Sequence, residues 1–336
     1  MTTIRDVAKV AGVGIGTVSR VLSGHPNVAE ETRQRVQAAI DQLEYRSSPV
    51  ARALRRGRTG VIEVLVPLFT RHFYVEVLRG IAEAATNQGY TLMIRTIESP
   101  ADRDRAFALC GAPGSADGVL LVSLAPPAAL LRRLDAAGVP LVLVDRTDAD
   151  RPSIGVDHSA AMAAALEHLV GLGHRRIALI DRREDPFAHE EPGGRQAGYR
   201  QALADAGLPI RPAYDIVTEY TPEAAQAALG ALLALPEPPT AVLTGSDSQA
   251  LGVLEAARHL GRRVPADLSV VGYNDIDVAP YLGLTTVCVP MYDMGCAGSE
   301  LLLDLLDHQG TAPASRCFPA DLVVRATTGP WPPGGE

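Results

Sequence analysis

From residue 60 onward, short β-branched apolar runs recur with helical stretches between them, and no other feature limits the fold as much. The runs "VIEVLV" (61–66), "GVLLVS" (118–123) and "PLVLVD" (140–145) have the length and branching of strands buried on both faces. Helical stretches over residues 74–88 and 128–137 lie between them, each followed by a glycine, Gly89 or Gly138. A second set begins near Ser159, with "RRIALID", "TAVLTG" and "LSVVGYND" as its strands. Strands alternating with helices build parallel sheets covered on both faces, so the expected body is two doubly wound α/β lobes. With 336 residues there is room for these lobes and a further small domain.

The first 58 residues differ from this body in charge. They hold ten basic side chains against five acidic ones, whereas the rest holds twenty-one basic against thirty-four acidic. A basic head on an acidic body is expected when one domain meets phosphate and the other does not. At 47% hydrophobic and 21% charged, the composition is that of a soluble globular protein. The N-terminus lacks the apolar core of a secretion signal, and no run approaches membrane-spanning length. Cys110, Cys288, Cys296 and Cys317 show no CxxC or metal-ligand spacing. The expectation is a cytoplasmic protein with reduced thiols packed as small core residues, without a metal, cofactor or membrane partner.

The stretch "AGVGIGTVSR" (11–20) could be a phosphate-cradling glycine loop or the bend between two helices. A GxGxxG loop needs a strand before it and a helix after it. What precedes Gly12 is "TIRDVAKVA", with Ile4, Val7, Ala8 and Ala11 on one face of a helix. Thr3 is a good N-cap with Asp6 three residues on, and Gly12 sits where a helix end favours a left-handed residue. Val18, Val21 and Leu22 form a second apolar stripe; Val36, Ile40 and Leu43 form a third after Glu30 and Glu31. Three short helices joined by a tight glycine turn make a helix-turn-helix head, not a cofactor loop.

"TIRDVAKVAGVGIGTVSRVLSG", "VAEETRQRVQAAIDQLEY" and "PVARALRRGRTG", in this order, resemble the head of the lactose-repressor (LacI/GalR) family of transcription regulators. The resemblance implies a homodimer that binds a palindromic operator in double-stranded DNA, with affinity controlled by a small effector. It makes residues 15–23 the recognition helix in the major groove, with Ile15, Gly16 and Arg20 facing bases and Thr17 and Ser19 facing phosphates. Thr3, Gly14, Asn27 and Arg33 complete the head's expected contacts. Gly14 stands where the family usually has a Ser or Thr cap, and Gly16 offers no base-reading side chain. Residues 48–57 would be a hinge helix that forms when two copies meet in the minor groove. There Arg52, Ala53 and Arg55 would touch DNA, with Leu54 as the wedge at the central base step.

The resemblance also implies a lobe pair like a periplasmic sugar-binding protein, with the chain crossing between lobes three times. The expected division is 1–46 for the head and 47–58 for the hinge. The N-terminal lobe takes 59–158 and 288–318, the C-terminal lobe 159–287 and 319–330, and 331–336 is a proline-rich tail.

In such sheets a ligand sits beyond the carboxyl ends of the strands. Just past those ends stand Asp145 and Arg146, Ser246 and Asp247, and Asn274 and Asp275. Phe69, Phe73 and Tyr74 follow the first strand, and Arg195 belongs to "GGRQAGYR", the family's effector-binding arginine motif. Charged forks and amides among aromatics suit a polyhydroxylated molecule, whose hydroxyls need both donors and acceptors. A sugar fits first. A nucleobase or nucleoside is second, because Phe73 and Tyr74 could sandwich a base. The rival from another class is a solute-binding protein of the same lobe fold. His168 and His174 have no third ligand at metal spacing, and Ser246-Asp247-Ser248 lacks a nucleophile elbow, so no enzyme is expected.

Overall fold

The structure is a computed structural model that describes residues 2–22, 25–45, 58–182, 194–307 and 315–331. The expected hinge contacts Arg52, Ala53, Leu54 and Arg55 lie outside the described residues. The chain divides into two compact units, residues 1–60 and 61–336.

The head is three helices, α1 (Ile4–Ala11), α2 (Ile15–Leu22) and α3 (Glu30–Gln42). Thr3 and Asp6 form a complete capping box, and Gly12 ends α1 in the left-handed conformation with φ of 65°. Val7, Ala8, Ala11, Val18, Val21, Val36 and Ala39 are buried together, a core built from the stripes visible in the sequence. Gly14 contributes only its carbonyl at the start of α2, accepting from the Thr17 and Val18 N–H groups.

The body holds two six-stranded sheets. The first takes β1 (Val61–Pro67), β2 (Thr91–Ile97), β3 (Gly118–Val122), β4 (Leu141–Val144), β5 (Ser153–Val156) and β11 (Arg316–Phe318). Its spatial order is β11-β5-β4-β3-β1-β2, every pair parallel. The second takes β6 (Ile177–Arg182), β7 (Asp215–Thr218), β8 (Ala241–Thr244), β9 (Ser269–Asn274), β10 (Thr285–Cys288) and β12 (Asp321–Val323). Its order is β12-β10-β9-β8-β6-β7, parallel except where β12 runs antiparallel to β10. Strands β3, β4 and β8 are buried along their whole length, which is why they read as unbroken apolar runs.

Helix α4 (His72–Asn87) follows β1, α5 (Pro100–Leu109) follows β2, and α6 (Ala128–Ala137) follows β3. After β5, α7 (His158–Gly171) packs on α8 (Arg195–Asp205) and on β10 and β12 of the second sheet. Helices α9 (Pro222–Leu233) and α10 (Asp247–His259) pack against each other, α10 also against β8 and β9. After β10 the chain returns through α11 (Met291–Asp307), which packs on α4 and on β3, β4 and β5. It then pairs β11 into the first sheet and, three residues later, β12 into the second. The backbone therefore passes between the sheets at 157, at 289–290 and at 319–320.

Two expectations need correction. Only Cys110 is buried; Cys288 and Cys296 are partly exposed and Cys317 is exposed, because it lies on the short edge strand β11. The segment taken as a tail is tied down at its start, where the Trp331 N–H donates to the Leu172 carbonyl at 2.7 Å. The Trp331 ring lies 5.9 Å from that of His174, whose nitrogens meet Thr240 and Ser269 hydroxyls at 2.9 Å and the Gly329 carbonyl at 3.1 Å.

Burial holds the His174 ring below the ordinary histidine range, against the hydrogen bond to Gly329 that favours its charged form. The unfolded chain therefore takes up a proton first, and this contribution to stability is complete above about pH 6.5 and lost as pH falls below it. Melting temperature should drop between pH 7.5 and 5.5, and by less in His174→Gln. An equal drop in both proteins would remove His174 as the cause.

Candidate ligand-binding cleft

Segments that follow strands of both sheets converge on one cavity of about 300 Å³ in the body. Its lining comes from the end of the β1–α4 connection (Thr70, Arg71), the first turn of α4 (His72, Phe73, Tyr74), the end of β4 (Asp145) and the start of α7 (His158). The second sheet adds Arg195 at the start of α8, Tyr220 after β7, Ser246, Asp247 and Ser248 at the start of α10, and Asn274 and Ile276 after β9. Asp145, Asn274 and Asp275 all hold positive φ (60°, 105° and 56°), a conformation non-glycine residues rarely adopt. Such strain clusters where a site fixes side-chain direction.

Arg195 anchors the second-lobe side. Its guanidinium donates to Asp181 Oδ1 at 3.4 Å and to the Tyr220 hydroxyl, which in turn donates to the same Asp181 oxygen at 3.0 Å. It also lies 5.1 Å from the centroid of the Tyr273 ring. Burial alone would favour loss of its proton, but Tyr220, Asp181, Tyr273 and Asp145 raise its pKa further above the ordinary range, so it is a permanent cation.

Asp145 carries the first-lobe side. Burial works against its charge, yet hydrogen bonds from His158 and Ser123 and the field of Arg195 hold its carboxyl below the usual aspartate range. The Ser123 hydroxyl lies 2.5 Å from Asp145 Oδ2, while His158 sits 3.4 Å from Oδ1 and reaches the Tyr273 hydroxyl at 2.7 Å. His158 thus joins a group on the first sheet to one on the second.

Of the ten residues expected here, Phe73, Tyr74, Asp145, Arg195, Ser246, Asp247 and Asn274 line the cavity. Phe69, Arg146 and Asp275 do not. Phe69 is 42% exposed. The Arg146 N–H donates to the Ile154 carbonyl, placing that residue in the β4–β5 turn. Asp275 pairs with Arg325 at 2.7 and 3.0 Å, because the left-handed backbone at Asn274 and Asp275 turns successive side chains apart. The N-cap of α10 is Ser246, not Asp247. Asp247 is fully buried and accepts from Thr286 Oγ1 at 2.6 Å and from the Ile276 N–H at 2.8 Å. Burial pushes its carboxyl up to about 6, against those hydrogen bonds.

Phe73 and Tyr74 meet edge to face, centroids 5.2 Å apart and planes at 89°, so they touch each other and cannot hold a base between parallel faces. Sequence reasoning missed Thr70, Arg71, His72, His158, Tyr220, Ser248 and Ile276. A signal existed for most: each lies directly after a strand or at the first turn of a helix.

In the head, Thr3, Gly14, Ile15, Gly16, Arg20 and Asn27 are exposed, with Thr17 and Ser19 partly so. Ile15, an apolar residue at 45% exposure, faces solvent at the start of α2. Arg33 is engaged within the head, donating to the His25 carbonyl at 3.1 Å and lying 3.7 Å from Glu30.

Residues 3–48 match the family described as bacterial regulatory proteins, lacI family, and residues 166–328 match a periplasmic binding protein-like domain. Catabolite control protein A of Priestia megaterium is 33% identical over 97% of this chain and 99% of its own. The repressor CytR of Escherichia coli is 33% identical over 97% and 96%. Among solved structures, the Lac repressor dimer bound to operator and the anti-inducer ONPF has a TM-score of 0.84 at 27% identity, covering 98% of this chain and 99% of that one. The regulator CelR in complex with cellobiose has a TM-score of 0.70 at 33% identity, covering 97% and 100%. Among the described residues, no helix is long and apolar enough to cross a membrane.

Proposed function

The chain belongs to the LacI family of bacterial regulatory proteins, and from that premise we propose a homodimeric transcriptional repressor whose hold on a palindromic operator is set by a sugar or sugar derivative in the cleft. One observation carries the ligand side. The cavity sets a permanent cation, Arg195, and a carboxylate held charged, Asp145, among an amide, hydroxyls and aromatic rings. Donors and acceptors in that mixture match hydroxyl groups, each of which gives one hydrogen bond and takes others. The edge-to-face rings favour this reading over a nucleobase. The helix-turn-helix head favours a regulator over a solute-binding protein.

In this reading 1–46 binds DNA, 47–58 is the hinge, and the lobes divide where the backbone passes between the sheets, at 157, 289–290 and 319–320, which moves His158 and Cys288 from the expected N-terminal lobe to the C-terminal one. Ile15, Gly16 and Arg20 face base edges, while Thr3, Thr17, Ser19, Asn27 and Arg33 position the head on phosphates. Leu54 wedges the central step, flanked by Arg52, Ala53 and Arg55. The protein works in the cytoplasm and performs no chemistry on its ligand.

Selection of the full chain against random duplexes should enrich an inverted repeat, with half-sites read by two recognition helices. Affinity for it should fall steeply with salt as arginines displace counterions. Arg20→Ala should flatten the preference at one position of each half-site, by about 1–3 kcal/mol. A pool left without enrichment, or an Arg20→Ala profile identical to the parent's, would sink the assignment.

A further inference from the structure

We propose that the ligand of this cleft carries an anionic group, a carboxylate or a phosphate, received by Arg71, so that the effector is a charged sugar derivative. The inference rests on reading the cleft as the effector site and names the class of molecule it takes. Arg71 is the residue before α4, with its N–H on the Leu68 carbonyl at 3.0 Å and its side chain in the cavity wall. Its Nη1 is closed off from solvent and has no hydrogen-bond partner among the described residues. A buried guanidinium nitrogen with nothing to donate to is costly, and native structures seldom leave one. The location compounds the cost, because the start of a helix carries partial positive charge and favours anions.

The other charges in the cleft are already matched. Arg195 has Asp181 and Tyr220; Asp145 has His158 and Ser123; Asp247 has Thr286 and the Ile276 N–H. His72 Nε2 lies 4.0 Å from Asp277. Among the described residues, Arg71 has the face of Tyr220, 5.6 Å away, and no anion, and Arg195 stands 5.7 Å from the same ring. Two guanidiniums, one from each lobe, thus lie near one aromatic ring, and one of them has no anion among the described residues. A carboxylate or phosphate placed at Arg71 would take charge-assisted hydrogen bonds from the guanidinium and sit at the N-terminus of α4. The sugar body would remain with Arg195, Asp145 and Asn274.

The test titrates the full chain with matched sets: glucose, glucuronate and glucose 6-phosphate, and ribose, ribonate and ribose 5-phosphate. In at least one set a charged member should bind about tenfold or more tightly than its neutral parent. Which charged member wins identifies the carboxylate or the phosphate. Arg71→Gln should bring that ratio close to one, while Arg71→Lys, which keeps the charge, should retain most of it. Neutral parents binding as tightly as their charged partners would overturn the inference, as would an Arg71→Gln protein that keeps the ratio. A protein that answers no member of any set, charged or neutral, overturns the sugar reading as well.

Discussion

Replacing Arg195 by alanine should leave a protein that still holds its operator but no longer answers its ligand. The guanidinium supplies the fixed cationic fork of the cleft, and its loss removes charged hydrogen bonds worth about 1.5–3 kcal/mol each. A ligand that used two of them would bind on the order of a hundredfold or more weakly. The change also removes a partner that Asp181 and the Tyr220 hydroxyl share, so the arrangement behind the ligand is altered as well. Calorimetry on the purified variant reads this directly. Ligand affinity equal to the parent's would place the ligand elsewhere. Asp275→Ala, by contrast, should act on stability first. Asp275 is spent on Arg325, which also donates to the Leu284 carbonyl and ties the end of the chain to β9.

Gly245→Ala should weaken ligand binding too, although it replaces no polar side chain of the cleft. A Cβ at Gly245 would lie 1.9 Å from Asp181 Oδ1 and 3.0 Å from the Tyr220 hydroxyl. Those distances are not tolerated, so the Asp181 carboxylate must leave its place and with it the partner that holds Arg195. The backbone cannot yield easily, because Gly245 follows the fully buried strand β8 and its N–H is bonded to the Ile180 carbonyl. Overpacking of this kind costs about 1–3 kcal/mol of stability. The variant should melt lower and bind ligand at least about tenfold more weakly. Parent-like ligand affinity in a folded Gly245→Ala protein would mean that the Asp181–Tyr220–Arg195 arrangement does not position the ligand.

How far the sequence reaches depends on what each residue's neighbours are. The central strands were legible because both their faces are buried, so pattern alone marks them. Strand β7 was not, since it lies at a sheet edge with none of its residues buried, and Tyr220 went with it. Strand β2, at an edge of the other sheet, has only its last residue, Ile97, buried for the same reason. The head was legible in detail, because a capping box and a left-handed glycine are local devices written within ten residues. In the cleft, reading past strand ends finds the right segments but not which side chain turns inward. Asp145 points to the cavity and Asp275 does not, although both follow strands and both have positive φ. That choice is made by Arg325, fifty residues away, which pairs with Asp275. Arg71 lay between Phe69 and Phe73, both noted for their aromatic rings, and its significance depends on the lack of a partner for Nη1 among the described residues, which only three dimensions reveal.

The central claim is that occupancy of the cleft and occupancy of DNA are coupled through one protein. The most direct measurement is a pair of titrations on the full chain: operator affinity with and without saturating ligand, and ligand affinity with and without operator. Linkage requires the two ratios to be equal, and an allosteric repressor should give a factor of roughly 5–150 in both. In Arg195→Ala the ratio for operator should fall to one at ligand concentrations that saturate the parent. Ratios of one in the parent protein itself, with both partners shown to bind, would contradict the account.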